Sequence, residues 1–279
     1  MSKTTVLITG ANSGIGLETA RAIAAQGHRT LMLCRNPERA AAACDQIRVT
    51  VPNADLQVIN GDLAQQASVR AAAAAVNATT DRLDVLVNNA GIHTRTVERT
   101  SEDHDVFLAT NHLGPFLLTE LLRPLVTATP SARIVNVASH AHRFAKTVDL
   151  DHLDTPTSYG PMGFRRYGET KLMNILWTDE LARRLDGTGV TANSLHPGGV
   201  QSNLGNPSPW QRLVIKPFML TAEQGARTSV FLATDQSVTG ITGGYWAKCK
   251  RVDEKRSTAA RDSTLAADLW IACEELTGG

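Results

Sequence analysis

Short apolar runs rich in β-branched residues alternate with longer helical patterns along this chain of 279 residues. The first cycle is the run Thr5–Thr9, a helical pattern over 14–26 and the run Arg29–Cys34. Runs that are apolar throughout are typical of strands covered on both faces, as in a parallel sheet. The alternation therefore predicts an α/β Rossmann fold, a doubly wound parallel sheet of about seven strands with helices on both faces.

The same alternation continues to the end of the chain. Further strands are predicted at 56–60, 83–88, 133–138, 189–195 and 243–246. One helix is predicted to end near residue 51 and another to begin near residue 68. Three more helices are predicted over 112–126, 223–233 and 265–276. No linker interrupts this pattern, so we predict one domain over 1–279. Two irregular stretches, 140–166 and 199–221, should rise over the carboxyl ends of the strands, where such folds bind ligands. We call them the rim loops and expect them to contact substrate.

Composition narrows the class of partner. The formal net charge is +1 and the basic residues are scattered, so the chain offers no strong field to nucleic acid or to an acidic membrane. We expect a small-molecule ligand. No apolar run reaches about 18 residues, and only four residues precede the run Thr5–Thr9, so neither a membrane anchor nor a signal peptide is expected. The sequence has four cysteines, Cys34, Cys44, Cys249 and Cys273, and their spacing is not that of a metal site, so no metal is expected. So few cysteines fit a reducing compartment, and we predict a cytoplasmic protein.

A glycine-rich turn follows the first strand and opens the first helix. Its sequence is Thr9-Gly-Ala-Asn-Ser-Gly-Ile-Gly16. Without side chains at the glycines, backbone N–H groups and the positive end of the helix can meet a pyrophosphate. A glycine pattern between a strand and a helix predicts a dinucleotide site.

Arg35, at the end of the second strand, bears on which dinucleotide binds. This position reads the adenine ribose, and NAD-preferring proteins normally carry an acidic residue there. A guanidinium favours a 2′-phosphate, so we predict that the protein prefers NADP(H) as its cofactor, with NAD(H) as the alternative. Asp62, after the third strand, either accepts from the adenine amino group or starts the next helix.

Tyr167 and Lys171 are separated by one helical turn and therefore lie on one face of a helix. A phenol transfers protons poorly at neutral pH because its ordinary pKa is near 10. We expect the ammonium group and an oxidised nicotinamide to lower the pKa of Tyr167. Tyr167 would then exchange a proton with an alcohol or an alkoxide, and Lys171 would hold the nicotinamide ribose. An ordinary surface pair of residues is the alternative.

Two more polar residues are placed near the same edge of the sheet. Ser139 follows the fifth strand, where its hydroxyl can donate to a substrate oxygen as charge develops. Asn111 precedes a long apolar helix and is interpreted as the helix cap, as a member of a proton relay, or as both.

Taken together, these motifs resemble the short-chain dehydrogenases/reductases over essentially the whole chain. The matching segments are Thr9–Gly16, Asp62-Leu63, Asn88-Asn-Ala-Gly91, Asn111, Ser139, Tyr167 with Lys171, and His196-Pro-Gly198. The resemblance implies a catalytic tetrad of Asn111, Ser139, Tyr167 and Lys171, and hydride transfer from the B face of the nicotinamide. It also implies cofactor contacts that extend beyond the glycine turn. The candidate cofactor-binding residues are Gly10, Asn12, Ser13, Gly14, Ile15, Gly16, Arg35, Asn36, Asp62, Leu63, Asn88, Ala90, Gly91, Tyr167, Lys171, Pro197, Gly198, Val200 and Ser202.

Finer motifs look like the retinol-dehydrogenase and WW-domain-oxidoreductase branch of that family. They are Leu33-Cys-Arg-Asn36, Asn111-His-Leu-Gly114 and the segment 171–181. This branch generally prefers NADP(H) and carries a long insertion between the serine and the tyrosine, as here. Its membrane-bound members have an amino-terminal apolar anchor that this sequence lacks, so a retinoid is not the expected substrate. Family members often form dimers or tetramers, although relatives in this branch can be monomers. The resemblance therefore allows a homo-oligomer but does not predict the oligomeric state.

Aromatic and apolar residues in the rim loops predict a partly apolar pocket. They are His140, His142, Phe144, Met162, Phe164, Trp210 and Phe218. We therefore predict an NADP(H)-dependent oxidoreductase that interconverts a ketone or aldehyde and its alcohol. The alternatives are a regulatory protein that senses NADP(H), a carbon–carbon double-bond reductase like protochlorophyllide reductase, and an epimerase or dehydratase, whose usual glycine pattern is absent.

Overall fold

The computed structural model describes residues 4–200 and 219–278. Its eight strands form one sheet in the order β3-β2-β1-β4-β5-β6-β7-β8. Neighbouring strands pair in parallel except the last two, which form an antiparallel hairpin. The strands are β1 (Thr5–Thr9), β2 (Arg29–Cys34), β3 (Leu56–Asn60), β4 (Val85–Asn88), β5 (Arg133–Val137), β6 (Thr191–His196), β7 (Tyr245–Ala247) and β8 (Lys250–Arg251).

Helices connect the parallel strands and cover both faces of the sheet. They are α1 (Gly14–Ala25), α2 (Pro37–Thr50), α3 (Gln66–Thr79), α4 (Val106–Leu108), α5 (Gly114–Thr127), α6 (Phe164–Arg184), α7 (Ala222–Thr234) and α8 (Ser263–Thr277). None of the helices in the described part of the chain combines the length and the apolar character needed to cross a membrane.

The core consists of two apolar layers, one on each side of the sheet. Side chains of a strand alternate between its faces, so Leu7 belongs to one layer while Val6 and Ile8 belong to the other. Helices α3, α5, α6 and α8 contribute to the first layer, and helices α1, α2 and α7 contribute to the second. This two-sided burial is the reason that the strand sequences are apolar without alternation.

The position of β1 in the sheet creates the ligand-binding crevice. Strand β1 pairs with β2 on one side and with β4 on the other, so the chain crosses over in opposite directions from this point. Ligands of doubly wound sheets bind at such a switch point, beyond the carboxyl ends of the strands. The glycine turn after β1 and the segment after β4 both lie there.

The structure confirms the predicted α/β Rossmann fold and refines it in two places. The sheet has eight strands instead of about seven, because the chain turns at Lys248 and Cys249 and adds β8 antiparallel to β7. The helix predicted over 112–126 begins as a π-helical turn, Ala109–Leu113, and continues as α5. This turn carries Asn111, and π-helical turns within helices are frequent at functional sites.

Candidate active site

The glycine turn between β1 and α1 has the backbone shape that only glycine accepts readily. Gly10 and Gly14 have φ values of +66° and +54°, in the left-handed region. At Gly16, a Cβ atom would collide with the carbonyl oxygen of Gly10 and would lie 2.5 Å from Asn89 Nδ2. The turn therefore brings the start of α1 close to the segment after β4.

The start of α1 is open to a ligand. Ser13 is exposed and is the N-cap of α1, but its side chain makes no capping hydrogen bond. A Cβ atom added at Gly14 would meet no atom within 4 Å. The first N–H groups of a helix have no partner within the helix, and Asn12 and Ile15 are only partly buried beside them. This end of α1 fits a pyrophosphate group.

Thr9 and Asn89 hold the two sides of the crevice together. The Thr9 hydroxyl accepts hydrogen bonds from the backbone N–H groups of Asn89 and Ala90, both at 2.9 Å. The Asn89 side chain donates to the Thr9 carbonyl at 2.8 Å. Sequence reasoning quoted the Asn88-Asn-Ala-Gly91 motif but assigned no role to Asn89. The repeated asparagine was the available signal.

The three polar residues near the ends of β2 and β3 have different environments. The Arg35 side chain is 71% exposed, and its Nη1 lies 3.8 Å from Asp62 Oδ2. Asn36 caps α2, because its Oδ1 accepts from Arg39 N at 2.7 Å. Asp62 Oδ1 accepts from Ala64 N at 3.0 Å. Arg35 and Asp62 are thus adjacent at the rim, whereas Asn36 stabilises a helix.

The structure corrects the interpretation of Asp62 and limits that of Leu63. Asp62 does not cap α3, because α3 begins at Gln66 with Gln65 as its N-cap, so the helix-start interpretation is wrong. Leu63 is 6% exposed and belongs to the core, so its side chain packs beneath the rim.

Asn88 lies below the crevice and not in it. Its Nδ2 donates to Thr119 Oγ1 at 3.0 Å and to Asn136 Oδ1 at 2.9 Å, and Asn136 in turn donates to Thr178 at 2.9 Å. These side chains form a buried polar chain that links β4 and β5 to α5 and α6. Asn88 therefore fixes the strands that carry the site.

Gly91 lies between two members of the predicted tetrad. A Cβ atom at this position would be 3.4 Å from Asn111 Oδ1 and 3.6 Å from Lys171 Nζ. The absence of a side chain at Gly91 keeps this space open, next to the start of α1. Ala90 and Gly91 thus line the path from the glycine turn to the tetrad.

Lys171 is buried on α6 and points to the end of β5. Its Nζ donates a hydrogen bond of 3.0 Å to the carbonyl of Val137 and lies 5.6 Å from the centroid of the Tyr167 ring. The residue is 3% exposed. Burial lowers the pKa of Lys171 from 10.5 to about 8, because a charged ammonium loses its hydration there.

Tyr167 and Ser139 form the polar centre of the site. Burial raises the pKa of Tyr167 to about 12 and outweighs the opposite effect of the neighbouring Ser139 hydroxyl. Burial is thus the largest effect on this pKa in the protein alone. The predicted lowering also requires the charge of an oxidised nicotinamide and stays a prediction. The Ser139 hydroxyl also accepts from Ala141 N at 3.1 Å, which fixes its orientation at the end of β5.

Asn111 is held inside the π-helical turn by three hydrogen bonds. Its Oδ1 accepts from Ile92 N at 2.7 Å, and its Nδ2 donates to the Ile92 carbonyl at 3.1 Å and to Thr170 Oγ1 at 3.2 Å. Helix α5 continues a helical run whose N-cap is Asp105, with its side chain accepting from Leu108 N, so the interpretation of Asn111 as the cap is wrong. Its bonds connect the segment after β4 to α6 instead.

The segment after β6 approaches the glycine turn from the other side. Gly198 has φ +97°, and a Cβ atom there would collide with the Leu220 side chain. Pro197 is partly buried, while Val200 is 7% exposed and pairs with Leu220 in an isolated parallel bridge. Ser202, Trp210 and Phe218 lie outside the described residues.

The rim around Tyr167 is apolar. Phe144, Met162 and Phe164 are exposed by 62%, 52% and 43%, and the two phenylalanine rings lie 6.2 Å apart. His93, which sequence reasoning missed, packs its ring 5.4 Å from Tyr167 and 5.0 Å from Phe164. No motif marks His93, because it lies two residues beyond Gly91 in an irregular segment.

His140 and His142 point inward, so the structure does not place them on the apolar rim. The His140 ring stacks on His196 with centroids 3.9 Å apart, and burial lowers the pKa of His140 to about 4. His142 is fully buried, and its Nδ1 is 2.7 Å from the Ser139 carbonyl oxygen. Both histidines support the Ser139 segment from behind.

The predicted tetrad is brought together by these elements, within one crevice that also contains the glycine turn. No cluster of three or more metal-ligating side chains occurs among the described residues. The arrangement can orient a dinucleotide along α1 and exchange a proton at Tyr167.

Comparison with known proteins agrees with the family resemblance noted in the sequence. Residues 4–148 match the family model described as short chain dehydrogenase. The chain is 40% identical to bovine (Bos taurus) "Dehydrogenase/reductase SDR family member 13" over 280 residues, which cover 98% of this chain and 73% of that protein. It is also 40% identical to human (Homo sapiens) "Retinol dehydrogenase 12" over 275 residues, which cover 97% of this chain and 85% of that protein.

Solved structures share the fold. A protein of Mycobacterium paratuberculosis is 31% identical, with a TM-score of 0.79, and the match covers 99% of this chain and 93% of that chain. Levodione reductase, 22% identical, has a TM-score of 0.71 over 87% of this chain and 94% of its own, and this likeness shows the fold alone. The chain belongs to the short-chain dehydrogenase/reductase family of oxidoreductases, and retinol dehydrogenases are among its relatives.

Proposed function

We propose that the protein is an NADP(H)-dependent oxidoreductase that interconverts a ketone or aldehyde and its alcohol. The observation that carries this proposal is the placement of the Ser139 and Tyr167 hydroxyl groups next to each other, with the buried Lys171 Nζ 5.6 Å from the centroid of the Tyr167 ring. The pair offers two hydroxyl groups to one substrate oxygen. Membership in an oxidoreductase family supports the same reaction class.

The residues of the crevice fit a nicotinamide dinucleotide. The open start of α1 suits the pyrophosphate, and the space beside Gly91 leads to Lys171, which would hold the nicotinamide ribose. Pro197, Gly198 and Val200 would lie near the nicotinamide on the opposite side. When bound, the cofactor supplies or accepts the hydride at the substrate carbon.

The chain's own residues handle the proton. The Tyr167 phenol is protonated at neutral pH, and burial raises its pKa further, so it can donate to a substrate oxygen as that oxygen gains negative charge. The Ser139 hydroxyl donates a second hydrogen bond to the same oxygen and stabilises it. In the reverse direction, the ammonium of Lys171 and the positive charge of an oxidised nicotinamide favour the phenolate that must take the proton.

Arg35 supports NADP(H) over NAD(H). Its exposed guanidinium at the end of β2 can pair with a 2′-phosphate, and no acidic residue occupies that position for a ribose 2′-OH. Asp62, 3.8 Å away, partly neutralises Arg35 and supplies a nearby acceptor. We therefore propose a preference for NADP(H) with residual use of NAD(H).

The substrate we propose has an apolar body next to its carbonyl group. Phe144, Met162 and Phe164 expose apolar surface at the rim, close to the rings of His93 and Tyr167. Retinal enters the test panel because two human relatives are named retinol dehydrogenases.

A cytoplasmic location is a further part of the proposal. The four cysteines are free, and Cys34, Cys44 and Cys273 are buried, which is compatible with a compartment that keeps thiols reduced. Fractionation of cells that express the full chain tests this location.

The experiment that tests the proposed function is a panel of ketones, aldehydes and alcohols with NADPH, NADH and their oxidised forms. We expect NADPH oxidation with at least one apolar carbonyl compound, faster than NADH oxidation. Cofactor binding without turnover of any compound would favour a regulatory protein, and turnover of conjugated alkenes alone would favour a double-bond reductase.

A further inference from the structure

A buried chain of hydrogen bonds joins three helical segments behind the tetrad. Cys273 Sγ lies 3.3 Å from His112 Nε2, and His112 Nδ1 lies 2.9 Å from Asn174 Oδ1. Cys273 belongs to α8, His112 to the π-helical turn, and Asn174 to α6. The three residues are 0%, 0% and 5% exposed.

The chemistry of the partners assigns the proton of each bond. Asn174 Oδ1 can only accept, so His112 Nδ1 donates to it, and His112 Nε2 then accepts from the Cys273 thiol. Burial lowers the pKa of His112 to about 4, so the imidazole is neutral, as this arrangement requires. Burial also raises the pKa of Cys273. A protonated, inaccessible thiol is not a nucleophile, so the trio is not a catalytic triad.

Two members of this chain of bonds, His112 and Asn174, are next to tetrad residues. His112 directly follows Asn111 in the turn whose side-chain bonds reach Ile92 and Thr170. Asn174 lies one helical turn after Lys171 on α6. A shift of His112 or Asn174 would therefore be transmitted through the backbone to Asn111 or Lys171.

Helix α8 is a fixed support for this chain. The Trp270 ring packs 5.0 Å from Phe116 of α5, and the Arg184 guanidinium lies 4.2 Å from the Trp270 ring centroid. Gln66 Nε2 donates to the Leu276 carbonyl at 2.7 Å. Helices α3, α5 and α6 thus hold α8, and Cys273 extends from it to the π-helical turn.

We propose that Cys273, His112 and Asn174 are positioning residues through which α8 sets the placement of Asn111 and Lys171. Because the bonds are buried, a lost partner leaves an unsatisfied polar group. The π-helical turn also departs from the regular α-helical bonding of the residues on either side of it. The turnover readout for this role rests on the proposed function, but the local opening of the turn can be measured without any substrate.

The test compares Cys273→Ala, Cys273→Ser and His112→Phe with the control Cys44→Ala. Cys44 is also a buried cysteine, but it lies on α2 in the other core layer. Cys273→Ser keeps a hydrogen-bond donor for His112. His112→Phe keeps an aromatic ring next to Trp177, whose ring centroid lies 5.8 Å from that of His112. We expect Cys273→Ala and His112→Phe to lower kcat by about 10- to 100-fold with little change in dinucleotide Kd, because small misplacements of catalytic groups have large effects.

Two further readouts separate positioning from a general loss of stability. In Cys273→Ala and His112→Phe, we expect faster amide hydrogen exchange in the peptide covering 109–113, and a shifted midpoint in the pH profile of kcat. Cys273→Ser should restore both toward wild type, and Cys44→Ala should change neither. Should His112→Phe fail to fold, the two Cys273 variants decide the question.

The proposal is overturned if Cys273→Ala shows wild-type exchange over 109–113, whatever its melting temperature or pH profile. Unchanged exchange refutes this positioning role even if the wild-type protein reduces carbonyl compounds. A wild-type protein that turns over no substrate refutes the proposed function instead, while faster exchange in Cys273→Ala would still support the role of α8.

Discussion

The Lys171 ammonium donates a hydrogen bond of 3.0 Å to the backbone carbonyl of Val137, the last residue of β5. Ser139 follows two residues later, so this bond ties α6, which carries Tyr167 and Lys171, to the strand that presents Ser139. The bond holds the Nζ atom of Lys171 in the protein interior, where the residue is 3% exposed. That burial is the reason that the pKa of Lys171 falls to about 8.

Replacing Lys171 by Met should stabilise the protein at neutral pH. A lysine whose pKa is lower in the folded than in the unfolded state costs stability at low pH, and the cost disappears as the pH rises from about 8 to 10.5. We expect an advantage of at most about 3 kcal/mol below pH 8. In the variant, the Val137 carbonyl loses its hydrogen-bond donor, and this loss offsets about 1 kcal/mol of the gain in the free energy of unfolding.

Urea unfolding of Lys171→Met and wild type at several pH values between neutral and strongly alkaline measures this effect. The difference in the free energy of unfolding should shrink as the pH rises through that window. Lys146→Met, at an exposed lysine, should show no such trend. A difference that is independent of pH would contradict the assigned burial of the charge.

Arg35→Asp should shift the cofactor preference toward NADH. The substitution removes the guanidinium that faces a 2′-phosphate and supplies an acceptor for a 2′-OH. We expect kcat/KM for NADPH to fall by about tenfold or more relative to NADH, which corresponds to about 1.4 kcal/mol. Steady-state kinetics with both cofactors measure the ratio. Arg48→Asp, at an exposed arginine of α2, is the matched control, and an NADPH preference kept by Arg35→Asp refutes the role of Arg35.

Arg166→Met should destabilise the protein strongly. Arg166 is 3% exposed, and its Nη2 and Nε lie 2.8 and 3.0 Å from Oδ1 of Asp105, which is fully buried. Removing the arginine leaves a buried carboxylate unpaired, which costs about 3–5 kcal/mol. Because Arg166 directly precedes Tyr167, kcat should fall as well.

Denaturant unfolding of Arg166→Met measures that cost, with Arg183→Met as the control. Arg183 pairs with Glu180 on the same helix, but its side chain is 68% exposed, so its loss should be barely measurable. Adding Asp105→Asn to Arg166→Met should recover part of the lost stability. Equal stability of the Arg166 and Arg183 variants would show that burial of the pair has no energetic weight.

Local signals in the sequence predict the sheet well. Strands β1, β2 and β3 begin and end at the residues that the sequence pattern indicates, because short, mainly apolar runs of five or six residues show no competing helical period. The hairpin to β8 was missed because it depends on two non-glycine residues, Lys248 and Cys249, with positive φ. Its short strand of two charged residues, Lys250–Arg251, carries no apolar signal.

The site was predictable where a motif fixes the geometry and not where contacts arise from folding. Tyr167 and Lys171 share a helix, so their relation follows from spacing alone. The pairing of Arg166 with Asp105, and of Cys273 with His112, joins residues 61 and 161 positions apart. The raised pKa of Tyr167 was also beyond a sequence argument, because burial depends on the packing of several segments at once.

The most direct test of the account compares Tyr167→Phe with wild type in the carbonyl panel with NADPH. Phenylalanine keeps the ring between His93 and Phe107 but removes the hydroxyl that lies next to Ser139. Loss of a general acid lowers kcat by about 10²- to 10⁴-fold, and we expect this loss with an NADPH Kd close to that of wild type. Turnover by Tyr167→Phe at the wild-type rate would contradict the assignment of Tyr167 as the proton donor.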